Sequence, residues 1–131
     1  MNEFSYKLKV FYEDTDSGGV VYYANYLKFF ERARTEAIAE IGLSNKKLLE
    51  ENGIFIIVKS CNIEYKKPAK LEDKIEIKSN IISISNTSFK MRQKAFRDNE
   101  LMTDCEIHLV IVDKKGKPSK IPEILKKKLE N

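Results

Sequence analysis

The feature that most constrains this chain is a succession of four strand-like runs in its second half. Short polar or Pro-containing turns separate these runs, which lie at about 54–66, 72–84, 87–97 and 100–112. Apolar and polar residues alternate along the last run, as they do in a strand with one buried face. Because short connections favour antiparallel neighbours, the four runs predict an antiparallel sheet.

A strand and a long helix precede these runs. Residues 5–13 alternate with the period of a half-buried strand, and residues 21–41 carry apolar or small side chains at a 3.6-residue period that ends at Gly42. A short helix or capped turn is expected at 44–52, and a short solvated helix at 121–131. This order predicts an α+β fold in which a five-stranded antiparallel sheet wraps around one long helix.

Length and composition narrow the classes of protein that fit. The 131 residues predict one domain over 1–131, and its small core favours sites at subunit interfaces and therefore an oligomer. A net charge of +4 with interspersed signs does not favour a nucleic-acid protein. Cys61, Cys105 and His108 cannot supply a conventional zinc site, so we interpret the cysteines as reduced and structural. The sequence shows neither a signal-peptide pattern nor an apolar run of membrane-spanning length, which favours the cytoplasm.

Residues 12–26 carry the most informative chemistry. They place Asp14, Asp16, Gly18 and Gly19 shortly before the long helix. The start of a helix has unpaired N–H groups and a partial positive charge, and glycines let another molecule approach that backbone closely. A carboxylate beside such donors suits acyl transfer, with the aspartate acting as a nucleophile or as a general base on water.

Two other interpretations apply to the same segment. In the simpler one, Asp16 or Ser17 caps the helix and the glycines only turn the chain. In the other, Asp14, Asp16 and Gly19 occupy the first, third and sixth positions of a calcium loop. Asn25, however, stands where that loop requires a bidentate Glu, so we expect no metal.

The string YEDTDSGGVVYYANYLKFFERARTE, followed by the 64–69 turn, resembles a known family. Its Asp-x-Asp-x-x-Gly-Val-Val-Tyr spacing and its Glu-Arg-Ala-Arg are similar to those of the hotdog-fold acyl-CoA thioesterases of the 4-hydroxybenzoyl-CoA thioesterase family, and most closely to the Tol-Pal-associated bacterial branch. The likeness covers residues 6–122. It implies hydrolysis of short-chain or aromatic acyl-CoA to free acid and coenzyme A, without a cofactor. It also implies a homodimer or homotetramer whose active sites are completed by the neighbouring subunit.

The resemblance also implies roles for individual positions. Asp16 matches the catalytic carboxylate, and the backbone amides near Tyr22 and Tyr23 match the groups that polarise the thioester carbonyl. Tyr23 is the second catalytic candidate, although the Tol-Pal branch commonly has His there. The further substrate-binding candidates are Gly19, Val21 and Tyr22, together with basic residues for the phosphates of coenzyme A, namely Lys59, Lys66, Lys90, Arg92 and Lys94.

Two alternatives use the same fold. A non-hydrolytic module would bind acyl-CoA or an acyl carrier protein, and the presence of Asp16 disfavours it because hydrolysis requires a carboxylate and binding does not. A hotdog dehydratase would require a His close to the Asp14–Tyr22 motif, whereas the single histidine, His108, is far from that motif in the sequence. The sequence contains no serine-hydrolase elbow, phosphate-binding loop or dinucleotide fingerprint.

Overall fold

The computed structural model describes residues 3–131, so the first two residues of the expected 1–131 domain lie outside the described part. Its strands form one sheet in the order β1-β3-β4-β5-β2, and all neighbouring strands are antiparallel. In chain order the elements are β1 (Phe4–Lys9), a 3₁₀ turn (Tyr12–Asp14), α1 (Asn25–Glu40), α2 (Asn45–Asn52), β2 (Ile54–Tyr65), β3 (Lys74–Ile84), β4 (Ser88–Arg97), β5 (Glu100–Asp113) and α3 (Glu123–Glu130).

The core lies between α1 and one face of the sheet. On β4, for example, Phe89 and Met91 are buried while Lys90 and Arg92 between and beyond them are exposed, which is the alternation expected of a strand with one covered face. The contact face of α1 consists of large aromatic residues toward its start and small ones farther on, namely Tyr26, Phe29, Phe30, Ala33 and Ala37. The prediction of an α+β fold with a five-stranded antiparallel sheet and one long helix is confirmed.

The connection between β1 and α1 is longer than the sequence pattern predicted. β1 ends at Lys9 and not at residue 13, because the chain turns tightly at Tyr12–Asp14. α1 begins at Asn25 and not at residue 21, because residues 20 and 21 stay extended and form isolated β-bridges. Residues 10–24 therefore form a long β1–α1 loop.

The two short helices differ from each other in how well they were predicted. The short helix expected at 44–52 is confirmed as α2, where the Ser44 hydroxyl accepts a hydrogen bond from the Lys47 N–H at 3.0 Å. The solvated helix expected at the C-terminal end is corrected, because Leu125 and Leu129 of α3 are buried in the core. Among residues 3–131, no helix is long and apolar enough to cross a membrane.

A turn between β2 and β3, residues 66–73, supports the β1–α1 loop. The Glu72 N–H donates to the Val10 carbonyl at 2.9 Å, and the Val21 N–H donates to the Ala69 carbonyl at 2.8 Å. The loop is thus held at both of its ends by one turn. This arrangement brings residues 16–23 next to residues 65–69.

Candidate active site

Asp14 anchors the first half of the β1–α1 loop. It is 8% exposed, and its Oδ2 accepts a hydrogen bond from the Phe11 N–H at 2.9 Å. Its carbonyl oxygen accepts from the Tyr22 N–H at 3.0 Å and from Asn25 Nδ2 at 2.9 Å. Asp14 therefore ties the 3₁₀ turn to the start of α1 through one carboxylate oxygen and its backbone carbonyl.

Asp16 stands in the opposite environment, since its side chain is exposed. Its Oδ1 accepts the Gly18 N–H at 2.9 Å, and Oδ2 accepts no hydrogen bond within residues 3–131. A Cβ at Gly18 would lie 3.3 Å from Oδ1, so a larger residue would crowd the carboxylate. The alternative that Asp16 or Ser17 caps α1 is wrong, because Ala24 is the N-cap residue and makes no side-chain cap bond.

Of the three backbone amides just before α1, those of residues 22–24, one is occupied and two are open. The Tyr22 N–H already donates to the Asp14 carbonyl, whereas the N–H groups of Tyr23 and Ala24 have no hydrogen-bond partner in the described part of the chain. The first two amides of α1, those of Asn25 and Tyr26, donate back to the carbonyls of residues 22 and 23. An open N–H close to a helix N-terminus is a suitable donor for a carbonyl oxygen that gains negative charge.

Two tyrosines, Tyr65 and Tyr26, fix peptide groups near the Tyr23 amide. Tyr65 Oη donates to the Tyr23 carbonyl at 3.1 Å, and Tyr26 Oη accepts the Ala69 N–H at 3.1 Å. The rings of Tyr26 and Tyr65 are in contact, with centroids 5.5 Å apart. Burial raises the pKa of Tyr65, so its hydroxyl stays protonated and remains a donor at neutral pH.

These groups surround a cleft of about 310 Å³ between the β1–α1 loop and the turn that follows β2. Asp16, Val21 and Tyr23, three of the predicted site residues, line it together. Gly19 and Tyr22 belong to the same loop, without lining the cleft. The full lining is Asp16, Val20, Val21, Tyr23, Tyr26, Tyr65, Lys66, Lys67 and Pro68.

The basic residues expected to bind coenzyme A are distributed over several regions. Lys66 lines the cleft, but Lys59, Lys90 and Arg92 do not. Lys59 lies at an irregularity of register in β2, and Lys90 and Arg92 point away from α1 because the residues that alternate with them are buried. The role predicted for these three residues stays a prediction.

Sequence reasoning missed Tyr26, Tyr65 and Lys67 as members of the site. Tyr26 fits the apolar period of residues 21–41, and Tyr65 is one of many positions in the strand-like run 54–66, so neither stands out in the sequence. Only the fold brings Tyr65 to Tyr23, which is 42 positions away in the chain. Lys67 was visible as the neighbour of Lys66 in the turn before Pro68, and that adjacency was the one available signal.

Comparisons with known proteins show which family the chain resembles. The family model of the thioesterase-like superfamily matches residues 10–129. The chain is 40% identical over 122 residues to the acyl-CoA thioester hydrolase YbgC of Escherichia coli, covering 92% of this chain and 90% of the relative. It is 36% identical over 126 residues to the acyl-CoA thioesterase YbgC of Haemophilus influenzae, covering 95% and 93%.

A solved structure shows the same architecture. The crystal structure of a probable thioesterase from Bartonella henselae superimposes with a TM-score of 0.90 at 29% identity, covering 92% of this chain and 100% of the other. Hotdog thioesterases thus share this sheet and helix arrangement, which confirms the expected fold.

Proposed function

The chain belongs to the thioesterase-like superfamily, and on this premise we propose that it hydrolyses acyl-CoA thioesters with Asp16 and Tyr23 at the reacting centre. Its relatives from Escherichia coli and Haemophilus influenzae, named as acyl-CoA thioester hydrolases, support thioester hydrolysis by this chain. One observation carries the assignment of residues: the cleft is lined by both the exposed carboxylate of Asp16 and the residue whose backbone N–H is open, Tyr23.

In this proposal the Tyr23 N–H binds the thioester carbonyl oxygen. The position of that amide just before α1 adds the positive end of the helix dipole, and the Tyr65 hydroxyl holds the carbonyl of the same residue, Tyr23, in place. As the carbonyl carbon becomes tetrahedral, negative charge accumulates on its oxygen and the hydrogen bond from Tyr23 strengthens. The loop thus stabilises the transition state more than it stabilises the bound substrate.

Asp16 then acts as the general base. Its carboxylate takes a proton from a water molecule, the water oxygen attacks the carbonyl carbon, and the tetrahedral intermediate expels the thiolate of coenzyme A. The proton held by Asp16 passes to that thiolate, which restores the carboxylate. Direct attack by Asp16 to give a mixed anhydride is the competing route, and a single turnover in ¹⁸O-labelled water separates the two, because only the anhydride route can leave ¹⁸O in the aspartate.

The nucleotide end of coenzyme A requires cations at the rim of the cleft. Lys66 and Lys67 meet this requirement by position, since both line the cleft beside Pro68. Lys67 also pairs with Glu100, and Lys66 lies 3.1 Å from a carboxylate oxygen of Glu64, so each ammonium group is held near the rim. We therefore propose that Lys66 and Lys67, rather than Lys59, Lys90 and Arg92, bind the phosphates of coenzyme A.

The proposal includes a homodimer as the smallest unit, with the homotetramer as a further assembly. β2 is an edge strand of 12 residues, and apolar side chains on it are exposed, namely Phe55, Ile57, Val58 and Tyr65. An edge of this length and apolar character is suited to pairing with a second copy. Light scattering after gel filtration tests this: the variant F55E/I57E should run as a smaller species than the wild type.

The activity is tested by release of free thiol from short-chain, long-chain and aromatic acyl-CoAs and from acyl carrier protein loaded with the same acyl groups. Turnover on coenzyme A thioesters that exceeds turnover on the carrier protein by at least tenfold would identify the carrier. Binding of every thioester without thiol release would reject hydrolysis and favour the alternative, a non-hydrolytic acyl-binding module. The proposal treats residues 1–131 as one thioesterase domain located in the cytoplasm.

A further inference from the structure

Four charged side chains form an ion-pair network beside the cleft. Arg97, at the end of β4, places its Nη1 2.8 Å from Asp73 Oδ2 and its Nη2 3.3 Å from Glu100 Oε1. The other oxygen of Glu100, Oε2, accepts a hydrogen bond from Lys67 Nζ. Negative and positive groups therefore alternate from Asp73 through Arg97 and Glu100 to Lys67, and the last of these lines the cleft.

Both ends of the ion-pair network lie on the turn of residues 66–73. Asp73 Oδ2 also accepts the Lys70 N–H at 2.8 Å, which closes the turn at one end. At the other end, the Lys67 N–H donates to the Met102 carbonyl at 3.1 Å. The backbone of residue 67 is thus held in place independently of its side chain, so the Lys67 ammonium group can change partners without movement of the turn.

The two halves of the network differ in solvent access. The side chains of Arg97 and Asp73 are 27% and 22% exposed, whereas those of Lys67 and Glu100 are 56% and 40% exposed. Water and salt weaken an ion pair most where its groups are exposed. The pair of Arg97 with Asp73 therefore anchors the network, and the pair of Lys67 with Glu100 is the one that a ligand can open.

Glu100 is shared between two cations, one on each carboxylate oxygen. The hydrogen bond from Lys67 lowers the pKa of Glu100, burial opposes this effect, and the hydrogen bond from Arg97 adds to the lowering. Glu100 is therefore ionised at neutral pH. Because Arg97 holds one oxygen by itself, the carboxylate keeps a cationic partner when Lys67 turns toward a ligand.

We propose that Arg97 is a positioning residue for coenzyme A, which holds Glu100 so that Lys67 can exchange this carboxylate for a phosphate of the ligand. The inference rests on the proposed function, in which Lys67 binds the phosphates. Arg97 does not line the cleft and acts only through Glu100. Its planar guanidinium can serve Asp73 and Glu100 at the same time, a geometry that suits arginine better than lysine.

The variant R97Q removes the shared cation. Glu100 then has Lys67 as its remaining ion-pair partner among residues 3–131, and this pair competes with the phosphates. We expect R97Q to bind coenzyme A about twofold to fivefold more weakly than the wild type, the contribution of one exposed ion pair. Isothermal titration calorimetry with coenzyme A measures the affinity, at a temperature at which thermal melts show every variant to be folded. Coenzyme A contains no thioester, so the result does not depend on hydrolysis.

The double variant R97Q/E100Q distinguishes partner exchange from a structural role of Arg97. Without the competing carboxylate, it should bind coenzyme A at least as tightly as the wild type. R97Q/D98N has the same net charge and retains Glu100, and Asp98 is exposed and forms no ion pair within the described residues. This matched control should stay as weak as R97Q. Equal recovery in both double variants would indicate a net-charge effect and would overturn the proposal.

The single variant E100Q gives a test that keeps Arg97 in place. The Lys67 backbone is already fixed, so loss of the carboxylate should free the ammonium group and tighten the binding of coenzyme A. Weaker binding by E100Q would show that Glu100 orients Lys67 rather than competing with the ligand, and would overturn the proposal. Wild-type affinity in K67A would also overturn it, by removing the phosphate contact on which it rests. Absence of thiol release together with these affinity changes would reject hydrolysis alone.

Discussion

The β1–α1 loop carries two aspartates, Asp14 and Asp16, whose environments are opposite. Asp14 is buried, and its carboxylate and carbonyl accept three hydrogen bonds from the loop and from the start of α1. Asp16 is exposed, and one of its carboxylate oxygens accepts a hydrogen bond from the Gly18 N–H. Each carboxylate accepts one backbone hydrogen bond, so burial and position separate the two: the buried carboxylate of Asp14 stabilises structure, and the exposed carboxylate of Asp16 lines the cleft and is available for chemistry.

This difference separates the residues that build the site from those that react in it. The inner half of the loop, residues 11–14, is held by hydrogen bonds within itself and to the start of α1, and none of its residues lines the cleft. The outer half, residues 16–23, contributes the carboxylate and the open amide. Variants in the two halves should therefore affect different quantities, stability in the first case and turnover in the second.

The largest effect is expected for D16N. The amide keeps the shape of the side chain and the hydrogen bond from Gly18, and it cannot accept a proton from water, so kcat should fall by about a hundredfold or more. Thiol release under saturating substrate measures it. E13Q, which changes an exposed carboxyl in the same loop, should retain wild-type turnover. Equal loss in both variants would contradict the assignment of Asp16.

The next effect is expected for D14A, in the other half of the loop. Removing the carboxylate takes away the acceptor of the Phe11 N–H in a partly buried contact, which should lower the free energy of unfolding by about 1 kcal/mol. Urea denaturation measures it. D14N keeps one acceptor oxygen and should lose less. If D14A unfolded at the wild-type midpoint and yet lost turnover as severely as D16N, the result would contradict the assignment of stability to the inner half of the loop and of turnover to the outer half.

Y65F tests how the outer half is positioned. The substitution removes the hydroxyl that donates to the Tyr23 carbonyl and leaves the ring in place, so kcat should fall by about threefold to tenfold. KM should change little, because the contact acts on the orientation of the Tyr23 peptide. A rise in KM at constant kcat would indicate that Tyr65 binds substrate directly.

K67A should produce a smaller effect, confined to substrates that carry the nucleotide. Loss of one ammonium group at the rim should raise KM for acyl-CoA by a few-fold, about the contribution of one exposed ion pair. The matching thioester of N-acetylcysteamine, which has no phosphates, should react equally with variant and wild type. K90A is the comparison on the other face of the sheet. If K90A raised KM more than K67A did, the result would indicate that the phosphates of coenzyme A bind on the face of the sheet that carries Lys90.

The smallest effect is expected for D73N, in the turn that supports both halves of the loop. Burial by itself raises the pKa of Asp73, but hydrogen bonds from Arg97 and from the Lys70 N–H outweigh it, so the folded-state pKa is lower than normal. The stabilisation is complete above the unfolded-state pKa and is lost as pH falls through the folded-state value. D73N should therefore weaken the decline of stability in acid, which thermal melts from pH 6 to pH 3 can follow.

The sequence predicted the elements well and their boundaries around the site poorly. Period-2 and period-3.6 patterns are local, so the five strands and α1 could be identified from neighbouring residues. The start of α1 was misplaced by four residues because Val20 and Val21 are apolar and fit a helical face, although tertiary hydrogen bonds hold them extended.

The sequence by itself determined the α+β fold class and singled out Asp16, Gly19 and the residues before α1, because these signals lie within one short segment. Only the tertiary structure decided that Asp14 is structural, that the Tyr22 amide is occupied and the Tyr23 amide open, and that Tyr65 and Lys67 complete the cleft. Hydrogen-bond occupancy and burial depend on which distant strand packs against the loop. That choice is set by the free energy of the whole core, which no local pattern encodes.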